Sequence, residues 1–196
     1  MQKQNYNLMM KQQISALTGK PRLLLHVCCA PCSSGVIPKL KEYFDITLFY
    51  YNPNTYPKDE YLLRAEQFSK LTDLPIIVCD YEHLEFLNEI KGCEQAKEGG
   101  ERCQKCIALR LKQSFEYALK YNYDYVTTTL SISPHKDAEF INACGSEYAQ
   151  QYNVKYLYAD FKKENGYLNS INESKRLDLY RQDYCGCEFS INKQQS

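Results

Sequence analysis

The sequence predicts an α/β fold, built on a mostly parallel β-sheet with flanking helices in a single domain. Short apolar, β-branched or aromatic runs alternate along the chain with amphipathic stretches. That alternation is typical of βαβ units, which place neighbouring strands parallel. In addition, no internal repeat, low-complexity tract or linker divides the 196 residues, and this length suits one domain with its own core.

Five segments are predicted to be strands because each is short and rich in apolar, β-branched or aromatic residues. They are residues 23–27, 46–51, 75–78, 125–130 and 154–158. Apolar residues recur at helical spacing between them, in stripes through 36–44, 107–118 and 140–148. We expect residues 1–21 to form a helical extension and residues 22–196 to form the domain, which ends in a helix and a cysteine-bearing tail.

Composition limits the classes of function. A hydrophobic content of 44% and a charged content of 24% are ordinary for a soluble globular protein, and no apolar run could span a bilayer. The first twenty residues hold no sustained apolar stretch, so we expect a cytoplasmic protein in a reducing compartment. There, ten cysteines favour metal binding or redox chemistry over a disulfide framework. The formal net charge of zero gives no bulk sign of nucleic-acid binding.

The carboxyl ends of parallel strands predict where chemistry gathers, because ligands of open α/β sheets bind outside those ends. The segments that follow the five predicted strands are CCAPC, NPNTYP, CDYEH, SISPHKD and ADFKKEN. We therefore expect all five segments to line one crevice.

Two pairs of cysteines have the spacing of metal ligands. Cys28 and Cys29 directly follow the first strand, and Cys103 and Cys106 form a CxxC at the start of a predicted long helix. Helix N-termini lower thiolate pKa values and favour anionic ligand sets. Adjacent cysteines are awkward for a structural zinc knuckle, so we interpret these four residues as ligands of an iron–sulfur cluster, with zinc as the alternative.

The remaining cysteines carry weaker signals. Cys185 and Cys187 flank a glycine, and a C-x-C disulfide would be strained and labile, which favours a redox pair over further ligands or plain thiols. Cys32 is either a thiol beside the ligands or a ligand of another metal ion. Cys144 lies on an apolar helical stripe and is predicted to be core, whereas Cys79 is undecided between packing and the site.

Acid–base candidates follow the fourth strand. His135, Lys136 and Asp137 could move protons or hold a phosphate there. The alternative is a helix N-terminus, with Ser133 as the cap and Pro134 at the first helical position. The two can hold together, and such a cap would fix His135 in place. His26 is expected to be a core histidine.

Glu60 and Arg64 lie four residues apart on the helix predicted after Pro57. Such a pair is most often a surface ion pair, and here a role in the crevice is the alternative.

Four motifs, taken in their order along the chain, resemble those of a known family. HVCCAPC, GERCQKC, TTLSISPHKD and YCGCEFS are similar to the motifs of the QueH-type epoxyqueuosine reductases, over about residues 22–190. The resemblance implies a Rossmann-like fold akin to the PP-loop and nucleotide hydrolase group. It also implies an oxidoreductase that converts epoxyqueuosine to queuosine at the wobble position of tRNA, the last step of queuosine synthesis.

The resemblance assigns residues as well. It implies that a [4Fe-4S] cluster is held by Cys28, Cys29, Cys103 and Cys106, and that Cys185 and Cys187 are the redox-active pair. Whether a mononuclear iron lies beside the cluster is left open, and the electron donor is not identified. The partner would be tRNA that carries epoxyqueuosine, with no membrane involved.

Two other classes compete with this interpretation. A zinc protein that binds tRNA without catalysis would use the same cysteines structurally. A PP-loop ATPase would need a Gly/Ser-rich phosphate loop after the first strand, where this chain has CCAPC.

Overall fold

The sheet is five-stranded and entirely parallel. The structure is a computed structural model that describes residues 4–191. Its strands are β1 (Arg22–His26), β2 (Asp45–Tyr50), β3 (Ile76–Val78), β4 (Tyr125–Thr128) and β5 (Lys155–Tyr156). They are ordered β3-β2-β1-β4-β5, which is a Rossmann-like arrangement. The predicted α/β fold is thus confirmed.

Helices cover both faces of this sheet. They are α1 (Tyr6–Ser15), α2 (Ala30–Ser34), α3 (Ile37–Leu40), α4 (Lys58–Glu66), α5 (Phe68–Leu71), α6 (His83–Glu89), α7 (Glu101–Lys120), α8 (Ala138–Tyr152), α9 (Gly166–Arg176) and α10 (Glu188–Ile191). A 3₁₀ turn at Thr129–Ile132 follows β4, so this strand ends two residues earlier than predicted.

The alternation of side chains along β1 divides the core. Leu23 and Leu25 pack on one face with residues of α2, α3 and α4, whereas Leu24 packs on the other face with Phe115 of α7. Successive residues of a strand point to opposite faces, so a continuous apolar run marks a strand that is buried on both sides. β1 therefore lies at the centre of the sheet, paired with β2 and β4.

The free edge of β5 is covered by α1. The side-chain amide of Gln13 donates to the carbonyl of Tyr156 at 2.9 Å and accepts from the amide of Tyr158 at 3.0 Å. It therefore takes the place of a neighbouring strand, and Met10 adds a buried contact to the core. The boundary predicted between residues 21 and 22 stays a prediction.

Close packing of α2 against α9 brings the C-terminal segment near β1. A Cβ at Gly35 would lie 2.8 Å from the carbonyl oxygen of Gly166 and 2.8 Å from Cδ1 of Ile132. Only a glycine allows this approach without displacing its neighbours. The chain that leaves α9 then runs past the carboxyl end of β1.

None of the helices between residues 4 and 191 is long and apolar enough to cross a bilayer.

Candidate metal and redox site

The turn after β1 brings three sulfurs together. Cys29 caps α2 in an extended conformation with Pro31 in the first turn, and the Sγ atoms of Cys28, Cys29 and Cys32 all lie within 4.8 Å of one another. Among residues 4–191 this is the one group of three or more Cys, His, Asp or Glu ligand atoms so close. Three sulfurs at this separation can bind one metal ion together.

Hydrogen bonding concentrates negative charge on one sulfur of this group. The thiols of Cys29 and Cys32 and the hydroxyl of Thr129 hold the pKa of Cys28 well below its usual range. The Cys28–Cys29 sulfur distance is 3.9 Å, and Thr129 Oγ1 lies 3.6 Å from the Cys28 sulfur. Cys28 raises the pKa values of Cys29 and Cys32 in turn, so the group favours one thiolate, which is the form that binds metals.

Cys103 and Cys106 open α7, as predicted from their spacing. The backbone N–H of Gly99 donates to the Cys103 sulfur at 3.3 Å, while burial raises the pKa of Cys106 to about 11. These two residues are not part of the three-sulfur group. They line a small adjoining cavity together with Cys185 and Cys187. Their role as cluster ligands stays a prediction.

The tail carries two free thiols, Cys185 and Cys187, which are not joined in a disulfide here. Gly186 between them has φ +118°, and a Cβ there would lie 2.8 Å from Nη1 of Arg64. The Gly186 carbonyl also accepts from the amide of Tyr56 at 2.8 Å. The glycine is therefore required both by its backbone conformation and by the close approach of Arg64.

Lys136 distinguishes the two thiols. Its Nζ donates to the Cys185 sulfur at 3.2 Å. The charge of Lys136, assisted by Arg110, lowers the pKa of Cys185, whereas burial and the Cys185 charge raise the pKa of Cys187. Cys185 therefore has the lower pKa of the pair.

Arg110 lies among the cysteines and is only 3% exposed. Its Nη1 donates to Oδ1 of Asn52 at 3.3 Å, and Asn52 in turn donates to the Val27 carbonyl. Burial opposes its charge, but the nearby Cys106 and other thiols outweigh this and raise the pKa of Arg110. This guanidinium therefore offsets the negative charge of several sulfurs.

A cavity of about 500 Å³ opens over this chemistry. Its wall includes Cys28 and Cys32 from the turn after β1, Lys136 from the segment after β4, and Cys185 from the tail. This volume is within the range of small-molecule sites. The carboxyl ends of β1 and β4 meet where the strand order reverses, which is where ligands of such sheets bind.

Fewer segments line the cavity than were predicted to line the crevice. The segments NPNTYP after β2, CDYEH after β3 and ADFKKEN after β5 do not line the large cavity, which is completed instead by residues of the C-terminal tail. Of NPNTYP, Asn54 lines the small adjoining cavity. β3 and β5 are the sheet edges and lie farther from the point of reversal.

The alternative of a helix cap at Ser133 was wrong. α8 begins at Ala138, and its cap is Asp137, whose carboxylate accepts from the amide of Glu139 at 2.9 Å. His135 is exposed at the rim of the cavity, in the turn between Ser133 and α8. The catalytic roles of His135, Lys136 and Asp137 stay predictions.

The usual surface interpretation of Glu60 and Arg64 was also wrong. Their ion pair has an Nε–Oε1 distance of 2.7 Å, with side-chain exposures of 11% for Glu60 and 3% for Arg64. Arg64 lines the large cavity and contacts the tail.

His26 is a core histidine, as expected. Burial lowers its pKa to about 3, and its ring nitrogens contact Thr128 Oγ1 at 2.7 Å and the Tyr51 carbonyl at 3.2 Å. Cys144 is likewise confirmed as core.

Comparison with known proteins agrees with this geometry. The family model described as epoxyqueuosine reductase QueH matches residues 23–193. Relatives named epoxyqueuosine reductase QueH include one from Streptococcus pyogenes serotype M1, 38% identical over 98% of this chain and 80% of the relative. Others come from Staphylococcus epidermidis (39% identical, over 98% and 87%) and Thermotoga maritima (33% identical, over 86% and 90%). The chain belongs to the epoxyqueuosine reductase QueH family.

Membership in the QueH family confirms the resemblance that the four motifs indicated. Those motifs supply the turn after β1, the start of α7, the segment after β4 and the tail, all of which meet at the two cavities. Residues of this QueH site that were missed from the sequence include Arg110 and Gln182. Arg110 follows Cys103 and Cys106 at helical spacing, which was an available signal, whereas Gln182 had none.

Proposed function

We propose that this chain reduces epoxyqueuosine in tRNA to queuosine, using the Cys185–Cys187 pair beside a metal centre held by the cysteines after β1 and at the start of α7. One observation carries the proposal: the Cys185 thiol and the three-sulfur group of Cys28, Cys29 and Cys32 meet at one cavity of about 500 Å³. The relatives' name gives the reaction that such a site would perform.

The electrons and protons of this reaction balance. Removal of an epoxide oxygen as water, with formation of an alkene, takes up two electrons and two protons. Oxidation of the Cys185 and Cys187 thiols to a disulfide releases two electrons and two protons. One dithiol therefore supports one turnover, after which an external electron donor must reduce the disulfide.

The donor set suits an iron–sulfur cluster. We assign Cys28, Cys29, Cys103 and Cys106 as its ligands, with the Arg110 guanidinium offsetting the negative charge of the thiolates. A cluster held there would supply single-electron transfer and a Lewis-acidic iron.

Cys32 is not among these four assigned ligands, although its sulfur belongs to the three-sulfur group after β1. A ligand beyond the cluster's four could hold a second, mononuclear iron.

The side chains after β4 divide between the thiol pair and the cavity rim. Lys136 is hydrogen-bonded to Cys185, so we assign it to the thiol pair and not to a phosphate. His135 is exposed at the rim, where it can donate a proton to the departing oxygen or bind the RNA backbone. Asp137 holds the first turn of α8 and so fixes the segment that carries both residues.

The test is an anaerobic assay on tRNA that carries epoxyqueuosine, with nucleosides identified by mass spectrometry. Iron and sulfide are determined on the same reconstituted protein. We expect queuosine to form without added reductant at no more than one equivalent per protein, and to continue when a chemical reductant is added. Unchanged epoxyqueuosine with a fully loaded protein would refute the proposal, and zinc without sulfide would favour the non-catalytic alternative.

The Cys185→Ser variant tests the dithiol separately. It should lose the turnover that occurs without added reductant, because it cannot form the disulfide. Cys144→Ala is the matched control, since Cys144 is buried on α8, away from both cavities.

A further inference from the structure

Buried polar atoms without partners gather around the tail. Among residues 4–191, four of the residues with such atoms line the large cavity or its small neighbour: Asn54, Arg64, Arg102 and Gln182. A buried donor or acceptor that is left unpaired is costly, so such atoms at a cavity indicate a missing ligand. Arg64 and Gln182 both line the large cavity.

Arg64 is held on several sides and keeps one free donor. Its Nε donates to Glu60 at 2.7 Å, its Nη1 donates to the Cys185 carbonyl at 3.4 Å, and its guanidinium lies 5.1 Å from the centre of the Tyr184 ring. Its Nη2 is buried and has no hydrogen-bond partner among the described residues. The guanidinium cannot turn away without breaking these contacts, so Nη2 is fixed where it lies.

Gln182 supplies a hydrogen-bond acceptor, whereas Arg64 supplies a donor. Its side chain lines the large cavity beside the cysteines after β1 and acts to lower the pKa of the Cys29 thiol, while its Oε1 is a buried acceptor without a partner in the described chain. Arg64 lines the same cavity, and Cys29 is among the groups that raise the pKa of its guanidinium. A free donor and a free acceptor therefore line the same cavity, next to the tail that carries Cys185.

We propose that Arg64 and Gln182 bind the oxygenated ring of the substrate. Arg64 donates to the epoxide oxygen, and Gln182 accepts from a hydroxyl or N–H group of the same modified nucleoside. This inference rests on the proposed function and names the residues that recognise its substrate. The ring then lies between the three-sulfur group and the Cys185 thiol.

The pairing of a donor with an acceptor disfavours occupants that can only accept hydrogen bonds. A phosphate oxyanion and the sulfide of a cluster both present only acceptors, which would repel Oε1 of Gln182. The RNA backbone is better served by His135 and Arg181, which are exposed at the rim of the same cavity.

Recognition of the epoxide oxygen predicts discrimination against the product. Queuosine lacks that oxygen, so its binding leaves Nη2 of Arg64 unpaired. A hydrogen bond to a charged group is worth about tenfold to a hundredfold in affinity. The hydroxyl or N–H that Gln182 binds is present in both nucleosides, so Gln182 contributes equally to the two.

The experiment measures binding of fluorescent anticodon stem–loops that carry epoxyqueuosine, queuosine or unmodified guanosine. Fluorescence anisotropy is recorded anaerobically, on reconstituted protein in a Cys185→Ser/Cys187→Ser background that prevents turnover. Arg64→Lys should abolish the preference for epoxyqueuosine over queuosine. Gln182→Met should weaken binding of both modified loops several-fold and leave the preference and the binding of the unmodified loop unchanged.

Matched controls are Arg176→Gln and Gln150→Met, both at exposed positions outside the cavity. Retention of the full preference in a folded Arg64→Lys protein overturns the inference, provided that the wild type converts epoxyqueuosine. If the Arg64 variants do not fold, Gln182→Met decides, since unchanged affinity for both modified loops overturns the inference. A wild type that neither converts epoxyqueuosine nor prefers the modified loops overturns the proposed function together with the inference.

Discussion

Replacement of Lys136 by methionine should make Cys185 a much poorer nucleophile. Lys136 Nζ lies 3.2 Å from the Cys185 sulfur, and its charge is the main reason that the pKa of Cys185 is lowered. Methionine keeps much of the side-chain volume and removes the charge. The pKa of Cys185 should therefore rise, and its reaction profile should move to higher pH.

The size of the effect follows from the distance. Two unit charges 3.2 Å apart interact by about 5 kcal/mol at an effective dielectric constant of about 20. Part of this is offset by the burial of both groups, and Arg110 remains in the variant, so we expect a rise of about 2 pKa units. The thiolate fraction then falls about 100-fold below both pKa values. The more basic thiolate reacts about eightfold faster, which leaves a net loss of about tenfold in rate.

The assay is alkylation of metal-free protein by iodoacetamide, across a range of pH, in a Cys187→Ser background. The modified Cys185 peptide is quantified by mass spectrometry. Lys136→Arg should keep most of the wild-type rate because it keeps the charge. Lys112→Met is the control, since Lys112 is exposed and pairs with Glu116 on α7, away from both cavities.

An unchanged pH profile for Cys185 in Lys136→Met would refute the reasoning. So would an equal fall in rate for Lys112→Met, because the effect would then arise from general electrostatics and not from the contact with Cys185.

Three further predictions concern the fold and the metal centre. Gly145→Ala should lower the free energy of unfolding by about 1–3 kcal/mol in urea titrations, because the new methyl group would lie 2.4 Å from the Tyr156 ring; an unchanged midpoint would show that the ring moves freely. Gln13→Ala should cost about 1–3 kcal/mol by the same measurement, since it leaves the β5 edge without its two hydrogen bonds; a loss within experimental error would mean that water replaces the amide. Cys28→Ser should bind less iron and sulfide than wild type after anaerobic reconstitution, whereas Cys144→Ala should load fully; equal loading of both variants would remove Cys28 from the ligand set.

Local pattern was sufficient for most of the fold. The apolar run through Leu24 and its neighbours marks β1 as a strand buried on both faces, and the alternation of strands with amphipathic stretches requires parallel pairing. The prediction failed where two local signals competed. Ser133-Pro134 and Asp137 both have the sequence features of a helix start. The structure uses Asp137, so that α8 begins at Ala138.

The site was predicted only as far as the chemistry of each residue type allowed. Cysteines stand out in any sequence, so the sulfur-bearing segments were found. The burial of Arg64 depends on Gly186, which is 122 positions away along the chain, and no local pattern reports such a contact. The order of the strands in the sheet could not be predicted from the sequence either, and this order decides which loops line the cavity.

In the proposed mechanism, the tail adds the pair of thiols that two-electron chemistry needs to the three-cysteine turn after β1. Loops after β1 and β4 supply Cys28 and Lys136, but the thiol that Lys136 activates comes from a segment that neither strand positions. That segment is held by the Gly186 carbonyl and by the Arg64 guanidinium, and both contacts involve the chain after β2. The reactive thiol therefore depends on three separate parts of the sequence meeting at the point where the strand order reverses. Each part is short and ordinary alone, which is why the chemistry belongs to the fold and not to any one motif.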